Sequence, residues 1–462
     1  MKKNLYIAYY YPPANGSGLP AVQRLKRFLK HIPDCENYVL TLKSEHYPRF
    51  VTTRQDMPVP INREKVFRTG TIDLFKMIVG IRDRMKKKAG QGILRENTGR
   101  LQTTQKYESA DPGSSYQKLK DFLYAVLNYP DFAASWLVPA VWRGIRVVRQ
   151  NRIDMVIATG MPWTSLLVGV LIKWFTGVEL IVDFRDPWVN NPYHNKTKTG
   201  TMADRILESF VVHSADLVLA NTEPLKEDMQ KRYRERSDRI MWLPNGYDVD
   251  DFVGLPRVEQ KKERLHLIHA GALYLKRDPM PIMEAMARLK KKDPAIASKI
   301  IFTQIGNVSL RYDLAQLCKN RNIEENVVFL EQATHRRCLG ILASSDILVL
   351  IQPATLTQIP SKLYEYIFLQ KKILAVTKKQ GALAGLMEKH GFGDVIEPES
   401  IDELETYIER AARQKLAHTW EIPPNPEVRL FDDRHIMHRF VQRIEDMHNR
   451  SESWRGREIK AG

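Results

Sequence analysis

"NLYIAYYYPPANGSGLPAVQRLKRFLKHI", residues 4–32, is an apolar run followed by a glycine-bearing loop and a segment whose apolar residues recur every three or four positions. The apolar run is typical of a buried strand, and the spacing after the loop predicts a helix. "YVLTL", residues 38–42, then reads as a second strand. A strand, a loop, a helix and a strand in this order begin a parallel α/β sheet.

The same alternation recurs along the chain, which at 462 residues is long enough for two domains. It resumes at "IDMVIATG" (153–160), and a second series starts at "LHLIHAGAL" (265–273). The sequence therefore predicts an α/β fold of two Rossmann-like domains that face each other across a cleft. We expect an N-terminal domain over residues 1–245 and a C-terminal domain over residues 246–427. Residues 428–462 are expected to form a C-terminal helix that returns to the N-terminal domain.

Positive charge is concentrated in the first third of the chain. Residues 1–150 hold 26 Lys and Arg against 12 Asp and Glu, a net charge of +14, whereas the rest contributes +3. Such asymmetry indicates an anionic partner: membrane lipid, nucleic acid or a charged substrate. Residues 74–120 are predicted to form a basic, mobile insertion. Its apolar and then basic stretch "LFKMIVGIRDRMKKKAGQ" suits an anionic membrane surface, and it also suits a solvated loop.

Cysteine usage and the absence of targeting signals predict the compartment. The three cysteines lie far apart, at Cys35, Cys318 and Cys338, and show no CxxC spacing. This pattern argues for reduced thiols in a cytoplasmic protein, without a disulfide framework or a zinc site. The N-terminus lacks the apolar region of a signal peptide, and no apolar run has the roughly 20 residues of a membrane-spanning helix.

"QIPSKLYEYI", residues 358–367, places a lysine in the first turn of a predicted helix. Proline and serine indicate the helix entry, with Ser361 as the N-cap, so Lys362 lies beside the positive end of the helix dipole. Such an entry suits a diphosphate, and Glu365 one turn later suits the vicinal diol of a ribose. Lys362 and Glu365 are also spaced for an ordinary i,i+3 ion pair on a solvated face. The spacing alone leaves both interpretations open.

An ordered set of motifs resembles the GT-B glycosyltransferases, in particular the family 4-like branch of bacterial polysaccharide biosynthesis. "IPSKLYEYIFLQKKILAV" (359–376) resembles the donor-site segment of that family, and "YYYPPANGSGLPAVQRLKRFL" (9–29) resembles its first strand, glycine loop and helix. "VDFRDPW" (182–188) and "LPNGYDVDDF" (243–252) resemble two further family segments between them. The resemblance spans most of the chain and implies a glycosyltransferase that retains anomeric configuration.

The resemblance implies a donor site for a nucleotide-diphosphate sugar, expected to be a UDP-sugar. Glu365 would bind the ribose, and Ser361 and Lys362 would lie near the diphosphate. In "HAGALYLKRDP" (269–279) Arg277 stands where relatives carry a lysine. Ala272 replaces a family arginine and Thr357 replaces the first of two paired glutamates, so one expected cation and one carboxylate are missing.

The N-terminal half supplies candidates for the acceptor side and for catalysis. Gly16, Ser17 and Gly18 would let the backbone approach a phosphate or an acceptor, or they form only a tight turn. Arg24, one turn into the next helix, faces the cleft or a solvated surface. The remaining candidates are Asp183, Arg185 and Asp186, which follow a strand. They either orient an acceptor hydroxyl and stabilise the reacting sugar, or they form a structural Asp–Arg pair.

We therefore predict a glycosyltransferase that acts on a glycan or lipid-linked acceptor, is cytoplasmic and is expected at the inner face of the membrane. The histidines are not spaced as metal ligands, and the sequence contains no HExxH motif. We therefore expect no metal and no cofactor. A GT-B nucleotide-sugar epimerase and a non-catalytic GT-B scaffold are the alternatives. Nucleic acid is not an expected partner, because the basic segments lack interleaved aromatic residues and no RNA or DNA module is recognised.

Overall fold

The computed structural model of the protein describes most of the chain. The described residues are 2–16, 19–49, 51–53, 59–72, 128–191, 198–260, 263–275, 277–352 and 355–461. The predicted basic insertion at 74–120, together with Ser17 and Gly18, lies outside them. Within these ranges, no helix has both the length and the apolar character needed to cross a membrane.

The first large sheet has seven strands in the order β5-β3-β1-β6-β7-β8-β9. The strand pairs β1–β3, β3–β5, β1–β6 and β6–β7 are all parallel. The strands are β1 (Lys2–Ile7), β3 (Cys35–Leu42), β5 (Lys65–Thr69), β6 (Met155–Gly160), β7 (Glu179–Phe184), β8 (Leu217–Ala220) and β9 (Ile240–Trp242). A small antiparallel pair, β2 (Ala14–Gly16) with β4 (Val51–Thr53), lies beside it in the chain.

Helices connect these strands in the manner that the sequence predicts. The described helices, numbered in chain order, are α1 (Leu19–His31), α2 (Leu137–Asn151), α3 (Thr164–Thr176), α4 (Lys198–Ser214) and α5 (Glu223–Arg232). Helix α1 carries its apolar residues on one buried face, and Thr222 caps α5 by accepting a hydrogen bond from Leu225 N at 3.2 Å.

The second large sheet has six parallel strands in the order β14-β12-β10-β15-β16-β17. They are β10 (Leu265–Ala270), β12 (Ile300–Ile305), β14 (Val327–Leu330), β15 (Ile347–Ile351), β16 (Lys372–Val376) and β17 (Asp394–Ile396). A two-stranded pair accompanies it, β11 (Leu273–Tyr274) with β13 (Val308–Ser309). The helices are α6 (Met280–Lys292), α7 (Pro294–Ala297), α8 (Leu314–Asn320), α9 (His335–Ala343), α10 (Lys362–Leu369), α11 (Ala382–His390), α12 (Ile401–Leu416) and α13 (Asp433–Ala461).

The central strands of the second sheet are buried on both faces, which explains their largely apolar sequences. Leu265 and Leu267 of β10 pack into one hydrophobic cluster, whereas Ile268 and Ala270 pack into another. Successive side chains of a strand point to opposite faces, so the two clusters lie on opposite sides of the sheet. A parallel sheet covered on both faces is the layered α/β architecture predicted from the sequence.

The chain divides into two compact α/β units, which confirms the predicted fold class of two Rossmann-like domains. One unit comprises Met1–Leu29, Pro33–Val189 and Lys196–Val218, and the other Lys30–Ile32, Asn190–Asn195 and Leu219–Gly462. The expected limits at 245 and 427, and the return of the C-terminal helix to the N-terminal domain, stay predictions.

Candidate functional site

The N-terminus of α10 brings Lys362 and Glu365 to the carboxyl end of the second sheet. The helix begins at Lys362, and Ser361 occupies the N-cap position as predicted. The backbone of Ser361 is helical, however, with φ −58° and ψ −27°, and its side chain makes no capping hydrogen bond. An N-cap hydroxyl reaches the following N–H groups from an extended backbone, which Ser361 does not have. Ser361 is thus the N-cap residue by position, and its hydroxyl does not satisfy the N–H groups of α10.

The side chain of Lys362 extends from the start of α10 to the carboxyl end of β10. Its Nζ donates a hydrogen bond to the carbonyl oxygen of Ala270, the last residue of that strand. A Cβ added at Gly271 would lie 2.7 Å from the same Nζ, so a side chain at this position would displace the ammonium group from its observed place. Burial lowers the pKa of Lys362, and the nearby Arg277 charge acts in the same direction. The ammonium group is therefore a partly desolvated cation at the edge of the sheet.

Glu365 pairs with a histidine that the sequence analysis did not single out. Its Oε1 lies 2.7 Å from Nε2 of His335, the first residue of α9. The two side chains are 20% and 28% exposed, so they lie at the mouth of the site. Lys362 and Glu365 thus have different partners, and the alternative of a simple i,i+3 ion pair between them is not what the structure shows. The one local sequence signal for the position of His335 is the helix cap before it. Thr334 caps α9 by accepting a hydrogen bond from the backbone N–H of Arg337.

Two glycines let the backbone of neighbouring loops come close together at this edge. Gly271 follows β10 with φ +149°, and Gly306 follows β12 with φ +110°. A Cβ at Gly306 would lie 3.1 Å from the carbonyl oxygen of Gly271. Gln304 joins the two loops, because its Nε2 donates to the carbonyl of Gly271 at 2.7 Å and to that of Gly306 at 3.3 Å. Only residues without a side chain tolerate both the conformation and the approach.

His269 is a buried, neutral neighbour of the two cations. Its Nδ1 lies 2.7 Å from Oε1 of Gln304. Because the amide nitrogen of Gln304 donates to carbonyls, the oxygen is the acceptor and His269 Nδ1 carries the proton. Burial, followed by the Lys362 charge, lowers the pKa of His269 to about 3, with a smaller contribution from Arg277. The imidazole is therefore uncharged at neutral pH and adds no positive charge to that of Lys362 and Arg277.

Arg277 supplies the second cation. Its guanidinium carbon lies 5.2 Å from the centroid of the Tyr274 ring, so the side chain stacks over the β11 strand. Its Nε is buried and has no hydrogen-bond partner among the described residues. A buried guanidinium N–H without an acceptor is costly, and an anionic ligand would satisfy it. Ala272, at the position of a family arginine, is exposed, and Thr357 is half-buried.

In the first domain, Asp183 and Arg24 form an enclosed ion pair. Arg24 Nη2 lies 2.6 Å from Oδ1 of Asp183, and Arg24 Nε lies 3.0 Å from Oδ2. Thr159 Oγ1 donates to the same Oδ2 at 2.9 Å. The side chains of Arg24 and Asp183 are only 1% and 0% exposed. Asp183 therefore fastens α1 to the end of β7 through Arg24, and both of its oxygens are occupied.

Arg185 and Asp186 lie nearer the surface, and both are half-buried. The Arg185 guanidinium donates from Nε to the carbonyl of Gly160 at 2.9 Å and from Nη2 to the carbonyl of Met161. It thereby ties the loop after β7 to the loop after β6. Gly16 ends the small antiparallel pair, opposite Val51. The structure brings Arg24, Asp183 and Arg185 to the carboxyl ends of neighbouring strands, and it places Gly16 in β2.

Metal-ligand clusters are lacking in the part of the chain that the structure describes. No three His, Cys, Asp or Glu side chains there come close enough to hold an ion. The cations of the candidate site are the side chains of Lys362 and Arg277, and side chains of this type can form charge-assisted hydrogen bonds with phosphate groups.

Known families and structures match the chain over most of its length. The family model described as a glycosyl transferase 4-like domain matches residues 104–246, and that of glycosyl transferases group 1 matches 255–421. The D-inositol 3-phosphate glycosyltransferase of Nocardiopsis dassonvillei is 24% identical over 197 residues, 38% of this chain and 43% of that protein. The chain thus aligns with less than half the length of that relative.

Solved structures share the fold. Anabaena HepE in complex with UDP superposes with a TM-score of 0.58 at 14% identity, over 96% of this chain and 100% of that one. The complex of HepE with UDP-glucose gives a TM-score of 0.56 at 13% identity, with the same coverage of both chains. The superpositions establish a common fold of two parallel-sheet domains, whereas the low sequence identity leaves the individual site residues to be argued from the geometry.

Proposed function

We propose, from the premise that the chain belongs to the family 4-like glycosyltransferases of the GT-B fold, that it transfers a sugar from a nucleotide-diphosphate donor to a hydroxyl group of a glycan or lipid-linked acceptor. The donor is a UDP-sugar, as the ligands of HepE suggest. Transfer proceeds with retention of configuration and serves cell-surface polysaccharide biosynthesis at the cytoplasmic side of the membrane.

The observation that carries the proposal is the pair of cations beside two glycine loops. Lys362 Nζ lies against the carbonyl of Ala270 and next to Gly271, and Arg277 is close enough to lower the pKa of Lys362. The N-terminus of α10 lies at the same edge of the sheet, where the helix dipole adds positive potential. Cations, a helix N-terminus and a close backbone approach together favour binding of a diphosphate.

Glu365 is proposed to bind the ribose of the donor. A carboxylate offers about four lone-pair positions, so the hydrogen bond to His335 leaves capacity for a vicinal diol. His335 holds Oε1 and thereby orients the carboxylate at the mouth of the site. We infer that His335 is a positioning residue for Glu365.

The chemistry is electrostatic. As the glycosidic bond to the diphosphate breaks, negative charge develops on the leaving oxygen, and Lys362, Arg277 and the α10 N-terminus stabilise it. A partly desolvated lysine does this more strongly than one in bulk water, because the effective dielectric constant is lower. Asp186 and Arg185 are proposed to contact the acceptor or the reacting sugar, while Asp183 holds Arg24 in place. Gly16, Ser17 and Gly18 are proposed to line the acceptor side.

Release of UDP from a panel of UDP-sugars, measured with and without glycan or lipid-linked acceptors, tests the proposal. We expect release with at least one donor, accelerated by an acceptor and lost in Glu365→Gln. A matched control is Glu388→Gln, an exposed glutamate on α11. A wild-type protein that binds UDP and releases none from any donor would indicate a scaffold and contradict the enzyme claim. Conversion of the donor into its epimer, without transfer, would contradict it as well.

A further inference from the structure

Three helices of the first domain lie side by side on one face of its sheet. In the strand order β5-β3-β1-β6-β7-β8-β9, the connections β6–α3–β7 and β7–α4–β8 both advance in the same direction, and α2 enters β6 from the β5 side. Right-handed crossovers in one direction place their helices on one face. Contacts between α2 and α3 and between α3 and α4 agree with this arrangement.

The outward surface of this face carries large apolar side chains. Each helix contributes at least two of them, and the exposed fractions are high: Val138 56% and Trp142 57% on α2, Trp174 75% and Phe175 57% on α3, and Met202 59%, Ile206 59% and Phe210 42% on α4. We call these seven residues the apolar face. Single exposed apolar residues are ordinary on a protein surface, whereas a group of aromatic and aliphatic residues on three adjacent helices marks an interaction surface.

The spacing shows that the apolar face is separate from the core side of the same helices. Met202, Ile206 and Phe210 follow one another every four residues, which makes a stripe along α4. The opposite side of α2 is already buried, with Ala140, Val147 and others packed inward. Packing on the sheet therefore accounts for one side of each helix, and among the residues that the structure describes the apolar face remains exposed.

Arginines are interleaved with the exposed aromatic side chains. The guanidinium carbon of Arg146 lies 3.5 Å from the centroid of the Trp142 ring. Arg149 Nη2 donates to the carbonyl of Phe175 at 3.1 Å, which joins the ends of α2 and α3. Arg205 is exposed on α4, between Met202 and Ile206. Each stretch of the apolar face thus has a cation next to it.

The acidic residues of these helices do not offset this charge at the surface. Helices α2 and α3 contain no Asp or Glu. The two acidic residues of α4 are buried: Asp204 Oδ1 accepts from Trp188 Nε1 at 3.0 Å, and Glu208 Oε2 accepts from Val189 N at 2.9 Å. Lys173 is neutralised by Asp216, just beyond α4. The exposed charge along the apolar face is consequently positive.

We propose that the apolar face binds the surface of a bilayer that contains anionic phospholipids. Trp and Phe insert favourably at the boundary between head groups and acyl chains, and the neighbouring arginines pair with lipid phosphates. A second copy of the chain is a poorer occupant, because a two-fold contact would bring the same arginines together without acidic partners. The proposal concerns a surface distinct from the donor site and does not depend on the proposed transferase activity.

Flotation of the full-length protein with vesicles tests the proposal. We expect binding to phosphatidylcholine vesicles that contain phosphatidylglycerol and little binding to pure phosphatidylcholine. Arg146→Gln with Arg149→Gln should lower the partition coefficient by about 25-fold, since each basic residue near the surface contributes roughly a fivefold factor. Trp174→Ser with Phe175→Ser should lower it at least tenfold. The matched control, Lys319→Gln with Phe329→Ser, removes one exposed cation and one exposed aromatic residue from the second domain and should change nothing.

Each other outcome overturns the proposal. Wild-type protein that fails to float with anionic vesicles contradicts it, and so do double variants that float as well as wild type. Lipid-free dimerisation that both double variants abolish would show that the apolar face is a subunit interface. Thermal unfolding and UDP binding, measured in parallel, should be the same in all four proteins, which separates lipid binding from folding and from the donor site.

Discussion

Replacing Lys362 by methionine separates ligand binding from stability. The substitution keeps the length and apolar stem of the side chain and removes the charge that lies against the Ala270 carbonyl. A hydrogen bond to a charged group contributes about 1.5–3 kcal/mol, so loss of the lysine contact with a diphosphate should weaken UDP binding roughly 10- to 150-fold.

Stability should change much less, because two effects oppose each other. Removing a desolvated cation relieves its burial and its repulsion by Arg277, both of which lower the pKa of Lys362. The Ala270 carbonyl loses its donor, at a cost of about 1 kcal/mol. We therefore expect the free energy of unfolding to stay within about 1 kcal/mol of the wild-type value.

Isothermal titration calorimetry with UDP and urea denaturation measure the two quantities on the same preparations. Lys291→Met, at an exposed lysine of α6, is the matched control and should leave both unchanged. A Kd for UDP within twofold of wild type in Lys362→Met would refute the assignment of this lysine to the diphosphate. A loss of both binding and several kcal/mol of stability would show a structural role instead.

Three further outcomes are expected. Burial lowers the pKa of His269 to about 3 in the folded protein, whereas its ordinary value is near 6.5. Below pH 6.5 the unfolded chain therefore binds one more proton than the folded chain at this residue, and the free energy of unfolding should fall by up to about 1.4 kcal/mol per pH unit. Denaturation measured over a pH series should show a shallower fall for His269→Gln. Asp183→Asn and Arg24→Met should each destabilise the protein by about 3–5 kcal/mol, and the double variant by clearly less than the sum, as a denaturation double-mutant cycle would reveal; full additivity would contradict a coupled pair. Gly271→Ala should weaken UDP binding at least tenfold by displacing Lys362, whereas Gly385→Ala, where a Cβ meets nothing within 4 Å, should bind UDP as wild type does.

The sequence predicted the sheets well because buried parallel strands are continuous apolar runs. The strand predicted at residues 38–42 forms the second half of β3 (Cys35–Leu42), and the predicted helix entry at Ser361 is followed directly by α10. Periodicity and helix-entry residues act locally, so a single sequence is enough to place such elements.

The hydrogen-bond partners of the site residues could not be predicted in this way, because each partner lies far from its site residue in the sequence. Lys362 and Ala270 are 92 residues apart, Glu365 and His335 are 30 apart, and the ion pair of Asp183 spans 159 residues. No local pattern encodes these contacts. The Asp–Arg–Asp stretch around residue 185 suggests an ion pair within the stretch itself. Asp183 instead pairs with Arg24 on α1, because the parallel sheet places that helix beside the end of β7.

Glycine spacing carries further information about the candidate donor site. Gly271 and Gly306 each follow a strand of the second sheet, and strands β10 and β12 are neighbours. Two glycines at adjacent strand ends predict a close approach of two loops. Gln304, which joins those loops, was not recognisable from the sequence, because a glutamine inside an apolar strand has no distinctive pattern.

Comparing UDP with pyrophosphate in Glu365→Gln tests the donor site most directly. Both ligands present a diphosphate, and only UDP carries the ribose assigned to Glu365. We predict that Glu365→Gln weakens UDP binding at least tenfold in calorimetry and leaves pyrophosphate binding within twofold of wild type. Equal losses for the two ligands, or no loss for UDP, would contradict the account.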